Sequence, residues 1–176
     1  TVGYNSDPEG MIDLLAAADS ALDAVEAAVP DCASEIEQYR RVAYVPLVNA
    51  AVQHYNARQV DSAEALAKRA ADIYPNGHVA FNVLGNAAQS KDSLALAANY
   101  FRQMVKAMAS DTSATEERQS AWINIPQLLL AEAERAPEPA KAELVKQAVA
   151  EYQAFMQEFP GDPRARSCLA RAQMVA

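Results

Sequence analysis

An internal period of about 34 residues runs through the chain, in the range of stacked helical repeats. At that shift Leu47 falls on Phe81, Ala50 on Leu84, Ala51 on Gly85, Ala63 on Ala97 and Ala67 on Phe101. The interval from the Ala51 slot to the Ala63 slot is the same as that from Gly85 to Ala97. It fits the end of one helix, a short turn and the start of an antiparallel partner. Such a period is the signature of stacked supersecondary units, each burying its apolar face only against its neighbours.

Helix boundaries support the same reading. Asp7-Pro8-Glu9 opens a first helix over about 8–29, with an N-cap and a proline at the first helical position. Pro30-Asp31 ends it and caps a second helix over about 31–43, and Pro46 opens or kinks the next. Asp61 with Glu64, and Ser113 with Glu116, have capping-box spacing, and Asp162-Pro163 opens the last helix. Pro75-Asn76-Gly77 and Phe159-Pro160-Gly161 are turns. Alanine supplies 39 of the 176 residues and glycine only five, which suits helices in close approach. Strand-like runs are missing. The fold class is therefore all-α.

These residues resemble the tetratricopeptide repeat, W-x2-L-G-x2-Y, then A-x3-F, then P. The best copy is Phe81-x2-Leu84-Gly85 followed by Ala97-x3-Phe101. The copy before it has Leu47, Ala50-Ala51, Ala63, Ala67, Ala70 and Pro75. A third begins at Trp122, offset by 41, with Ile125-Pro126, then Ala148, Tyr152, Phe155 and Pro160. Leu169-Ala170 begins a partial fourth. His54 and Ala88 stand in the tyrosine slots, about ten extra residues lie around 134–143, and Pro126 predicts a kink near Trp122. The resemblance, over about 44–176, implies a right-handed α-solenoid of antiparallel helix pairs. An acidic hairpin over 1–43 would cap about three repeats and a last cap helix. The first helix must then bury Met11, Leu14, Leu15, Ala18, Leu22, Val25 and Val29.

Charge narrows the partners. Residues 1–40 hold nine acids against Arg40 alone, whereas 41–176 balance at 14 and 14. A basic stripe for nucleic acid is missing. The longest uncharged stretches, 42–57 and 73–90, carry Pro, Asn, Gln and His, so neither reads as a membrane span. Thr1 in place of Met fits either a removed leader or an expressed fragment, and the compartment stays open.

No phosphate loop, HExxH, CxxC or GxSxG motif occurs, and His54 and His78 have no ligand-spaced neighbours. Glu35 and Glu37 lie two apart and point apart, and Cys32 and Cys168 read as unpaired. The expectation is a protein without catalysis, metal or cofactor. The resemblance implies instead that one face of each first helix lines a concave groove. The partner-binding candidates on it are Val48, Asn49, Val52, Tyr55, Asn82, Asn86, Asn124 and Gln127. Amide side chains can pair with an extended peptide backbone, or merely solvate an exposed helix. The bases that grip C-terminal carboxylates on chaperone tails in this family are absent, so such a tail is not the expected ligand. The expected function is a scaffold or adaptor binding another protein or peptide segment. The alternative is a permanent structural subunit of a larger assembly, including one attached to a membrane.

Overall fold

The computed structural model describes residues 14–175. Eight α-helices follow one another: α1 Leu14–Ala28, α2 Ala33–Asn56, α3 Val60–Ile73, α4 His78–Ser90, α5 Leu94–Ala107, α6 Thr115–Ala133, α7 Ala140–Glu158 and α8 Pro163–Val175. Short 3-10 turns at Pro30–Cys32 and Thr112–Ala114 precede α2 and α6. From α2 onward each helix packs on the next, and α2 also reaches α4 as α6 reaches α8. The protein is thus an all-α chain of sequentially packed helix pairs. The opening stretch 8–13 expected of the first helix lies outside the described residues.

The slots read from the sequence period form the core. Leu47, Ala51, Ala63, Ala67 and Ala70 are buried, as are Phe81, Leu84, Ala97, Phe101 and Met104 one period later. In the third copy Ile125, Ala148, Tyr152 and Phe155 are buried. The extra residues of that copy are divided along the hairpin rather than looped out. Two extend the end of α6, three lengthen the connection and five extend the start of α7, relative to α4 and α5.

Gly85 shows why a small residue recurs. A Cβ placed there would stand 2.8 Å from the tip of the Phe101 ring. One period earlier the facing pair is Ala51 and Ala67, so a methyl group fits where the aromatic ring is missing. Gly85→Ala should therefore cost stability, because overpacking at about 1–3 kcal/mol outweighs the gain of about 1 kcal/mol in helix propensity. In a Phe101→Ala background the same change should become neutral or stabilising. Denaturant unfolding of the double-mutant cycle measures the coupling, and additive values would refute it.

Several expectations need correction. The helices expected over 31–43 and from Pro46 are one helix, α2, with Pro46 inside it. Pro46 has no N–H for the carbonyl of Val42, but both residues are exposed, so water can satisfy that carbonyl and the helix continues. The boundary drawn at 43/44 therefore falls inside a continuous helix. Pro126 is likewise inside α6, here buried. Neither expected capping box forms. Gln59 precedes α3 without a side-chain cap, and Asp111 accepts from the Ser113 N–H at 2.9 Å ahead of the 3-10 turn. The Asp162-Pro163 device does form, with Asp162 accepting from the Arg164 N–H at 2.9 Å.

An unexpected cap joins the first two pairs. The Tyr44 hydroxyl of α2 accepts from the Ala80 N–H in the first turn of α4, at 3.1 Å. Gly77, before α4, makes room for that ring, since a Cβ there would lie 2.4 Å from it. Burial pushes the Tyr44 phenol above the usual tyrosine range, against the opposing pull of the Ala80 and Val79 amides.

The first helix is held differently from its expected apolar row. Leu15 and Leu22 are half-buried against the cluster around Tyr44 and Leu47, but Ala18 is exposed and Val25 and Val29 are each 46% exposed. Met11 and the Leu14 side chain lie outside the described residues. Instead, buried Arg40 reaches Asp19 and Asp23 of α1 and stands 3.7 Å from Glu26. It also donates to the Ile73 carbonyl at the end of α3, at 3.1 Å. One base therefore ties three of the nine acids counted over 1–40 to two other helices.

Candidate functional site

The first helices of the three pairs, α2, α4 and α6, carry the eight candidates. On α2, Asn49 is exposed and Val52 and Tyr55 are half-buried, one or two turns apart on a shared side. Val48 is not on that surface. It is buried with Tyr44, Leu47 and Ile73, because the 3.6-residue period turns position 48 towards α4 while 45, 49, 52 and 56 stay outward. On α4, Asn82 and Asn86 are half-buried, and Gln89 and Ser90 continue the row outward. On α6, Asn124 is half-buried and Gln127 exposed, one and two turns beyond exposed Ser120. Position 83 is buried, unlike its counterpart Asn49, since α4 is packed from both sides as the middle helix.

Part of the row is linked. Asn86 Nδ2 donates to the Asn82 carbonyl at 2.9 Å and to Asn82 Oδ1. Ser90 Oγ donates to the Asn86 carbonyl at 2.9 Å and lies 3.2 Å from the Tyr55 hydroxyl of α2. These bonds set the amide orientation. They leave the Asn82 Nδ2 as donor and the Asn86 Oδ1 as acceptor, a complement to one peptide group. Among the described residues no hydrogen bond joins Asn124 or Gln127 to this ladder. The starts of α4 and α6 approach instead through His78 and Glu117, 4.0 Å apart.

Two outward residues escaped the sequence reading. Tyr39 and Val42 are 66% and 67% exposed, and Val45 three positions on is 45% exposed. Val42, Val45, Asn49, Val52 and Asn56 follow helical spacing without interruption, so the outward face of α2 is longer and more apolar than the sequence implied. The signal was present as i, i+3, i+7 spacing backwards from Asn49. Reading Pro46 as a helix boundary concealed it.

The charges nearby are largely engaged. A cleft of about 530 Å³ between α2, the α3–α4 turn and the end of α5 is lined by Glu37, Arg41, Tyr74, His78, Lys106 and Asp111 among others. There Tyr74 donates to Glu37 at 2.8 Å, and the Arg41 guanidinium stands 5.8 Å from the Tyr74 ring centre. Mixed signs give this cleft no net preference for an anion or a cation. At the far end of α4, Lys91 bridges Asp61 and Glu64, whose hydrogen bonds push its ammonium up to about 12.

Among the described residues no group of three or more His, Cys, Asp or Glu could hold a metal ion. None of the described helices is long and apolar enough to cross a membrane. Cys32 and Cys168 are free thiols, each half-buried. No protein-family model matches the chain, and no curated protein is recognisably similar to it.

Proposed function

We propose that this protein is a non-catalytic interaction module of the tetratricopeptide type, a scaffold or adaptor that binds a segment of another protein along α2, α4 and α6. The observation that carries the reading is the division of each first helix. Its period-matched slots are buried, or half-buried at Ala50 and Trp122, while an outward row of Asn49, Asn82, Asn86, Asn124 and Gln127 offers uncharged donors and acceptors without a structural duty between helices. Such a row suits a peptide backbone, whose groups have no charge to match.

Replacing Asn82 and Asn86 together by alanine should weaken partner binding about ten-fold or more, since two hydrogen bonds contribute about 0.5–1.5 kcal/mol each. The fold should persist, because alanine is the better helix former. A quantitative pull-down from native lysate with both versions as bait, followed by titration of the recovered protein, measures this. A partner recovered equally by both versions would move the binding surface away from the amide row. The second reading, a permanent subunit, draws support from the exposed Tyr39, Val42 and Val45. Sedimentation separates the two: a monomer fits the adaptor, a stable oligomer the subunit.

A further inference from the structure

The outward face of α2 is apolar where those of α4 and α6 are amide-rich. Tyr39, Val42, Val45 and Pro46 are all exposed, and half-buried Val52 continues the stripe two turns on. From Tyr39 to Val52 the stripe spans about 20 Å at about 1.5 Å per residue, which matches about four turns of a partner helix. Asn49 is the one polar side chain on it between Tyr39 and Val52, and apolar residues gathered in this way on a helix face usually mark a contact surface.

What covers it is indicated by charge. The stripe begins at the acidic end of the chain, where positions 1–40 hold nine acids against one base. That base, Arg40, is buried and occupied by Asp19, Asp23 and Glu26. Asp31 and Glu35 are exposed and have no ion-pair partner among the described residues. Glu35 shares the outward face, one heptad before Val42. In the middle of the stripe the Val42 carbonyl has lost its helical donor to Pro46 and opens on an exposed surface, an acceptor for a Lys or Arg side chain. A second copy of this chain would bring the same acids to the same apolar face, and like charges oppose that pairing.

We infer that the α2 face from Glu35 to Val52 docks a basic amphipathic helix of a partner protein, with apolar anchors on Tyr39, Val42 and Val45 and Lys or Arg beside Glu35. This rests on the interaction-module reading and extends its site towards the N-terminus of α2.

The test is anisotropy titration of a labelled Leu/Lys helical peptide with apolar i, i+3, i+4, i+7 spacing, beside a scrambled peptide and a Leu/Glu analogue. The full chain, Tyr39→Ser/Val42→Ser, Glu35→Gln and Asn82→Ala/Asn86→Ala are compared at two salt concentrations. Tyr39→Ser/Val42→Ser should weaken the Leu/Lys peptide at least ten-fold, and Glu35→Gln a few-fold with a shallower salt dependence. The three substituted α2 side chains are exposed, so unchanged circular dichroism is expected. Equal binding of the scrambled peptide, preference for Leu/Glu, or indifference to the α2 substitutions would overturn the proposal. So would a dimer in sedimentation that Tyr39→Ser/Val42→Ser dissolves, because the occupant would then be a second copy. The Asn82→Ala/Asn86→Ala arm separates the readings: loss there with none on α2 defeats this inference and leaves the amide row standing.

Discussion

Phe155→Ala should destabilise the C-terminal end by about 3–5 kcal/mol, the usual cost of emptying a buried aromatic site. Phe155 has no exposed surface, lies 5.9 Å from the Trp122 ring in an edge-on arrangement, and packs 5.1 Å from Phe159. Buried Ile123, Tyr152 and Ala172 belong to the same cluster, which joins α6, α7 and α8. The cavity has little means to collapse, because Trp122 is fixed on both sides. Its indole N–H donates to Glu151 at 3.0 Å, Glu151 also binds Arg102 of α5, and the Arg118 guanidinium stacks 5.4 Å from the indole. Helices that pack mainly on their sequence neighbours unfold by neighbourhood rather than as one body. Hydrogen exchange should therefore show lost protection in α7 and α8 and the adjoining turns of α6, with α2 to α5 retained. Uniform loss along the chain would mean that the helices form a single cooperative unit.

Much of this cluster was legible beforehand. Tyr152, Phe155 and Trp122 stand in repeat slots, and slots were readable because packing requires size at fixed intervals. Gly85 was readable for the same reason. Position along the axis was less readable, because a spacing does not say whether extra residues loop out or lengthen helices, and in α6 and α7 they mostly lengthen them. Capping was misjudged twice for a common reason. Asp61 and Ser113 have the right side chains but not the N-cap positions: α3 already begins at Val60, and Ser113 lies in the 3-10 turn ahead of α6, held by Asp111. The Tyr44 cap on α4 links positions 36 apart, and no local pattern announces such a bond.

The candidate face shows the same division. Asn49, Asn82, Asn86, Asn124 and Gln127 could be placed outward from periodicity alone, while Val48 was misplaced because one residue of helical phase separates surface from core. Tyr39 and Val42 were lost to Pro46, whose usual meaning is a boundary. Whether a proline ends a helix depends on whether the orphaned carbonyl faces water or core, and that requires the tertiary arrangement.

Arg40→Met should release α1 and leave the rest of the stack folded. The methionine keeps an apolar stem in the buried slot but removes every donor, so Asp19, Asp23 and Glu26 are left facing one another and the Ile73 carbonyl loses its partner. Breaking a fully buried ion pair costs about 3–5 kcal/mol. Here the carboxylates are 28%, 68% and 49% exposed, so water takes up part of the loss and about 2–3 kcal/mol is expected. That suffices, because among the described residues of α1 only half-buried Leu15 and Leu22 serve as apolar anchors, and a stretch of 15 helical residues is marginal on its own. Circular dichroism should lose helix, and amides 14–28 should exchange freely, while α3 to α8 keep their protection. Arg40→Lys should fall between the two, since an ammonium cannot present the guanidinium's fork to two carboxylates and a carbonyl at once. High salt should loosen α1 in the native protein and have little further effect on Arg40→Met, because the screened interaction is already gone. Protection of α1 unchanged by Arg40→Met would assign its docking to the two leucines instead. Asp19, Asp23 and Glu26 would then be a solvated surface rather than the partners of a buried base.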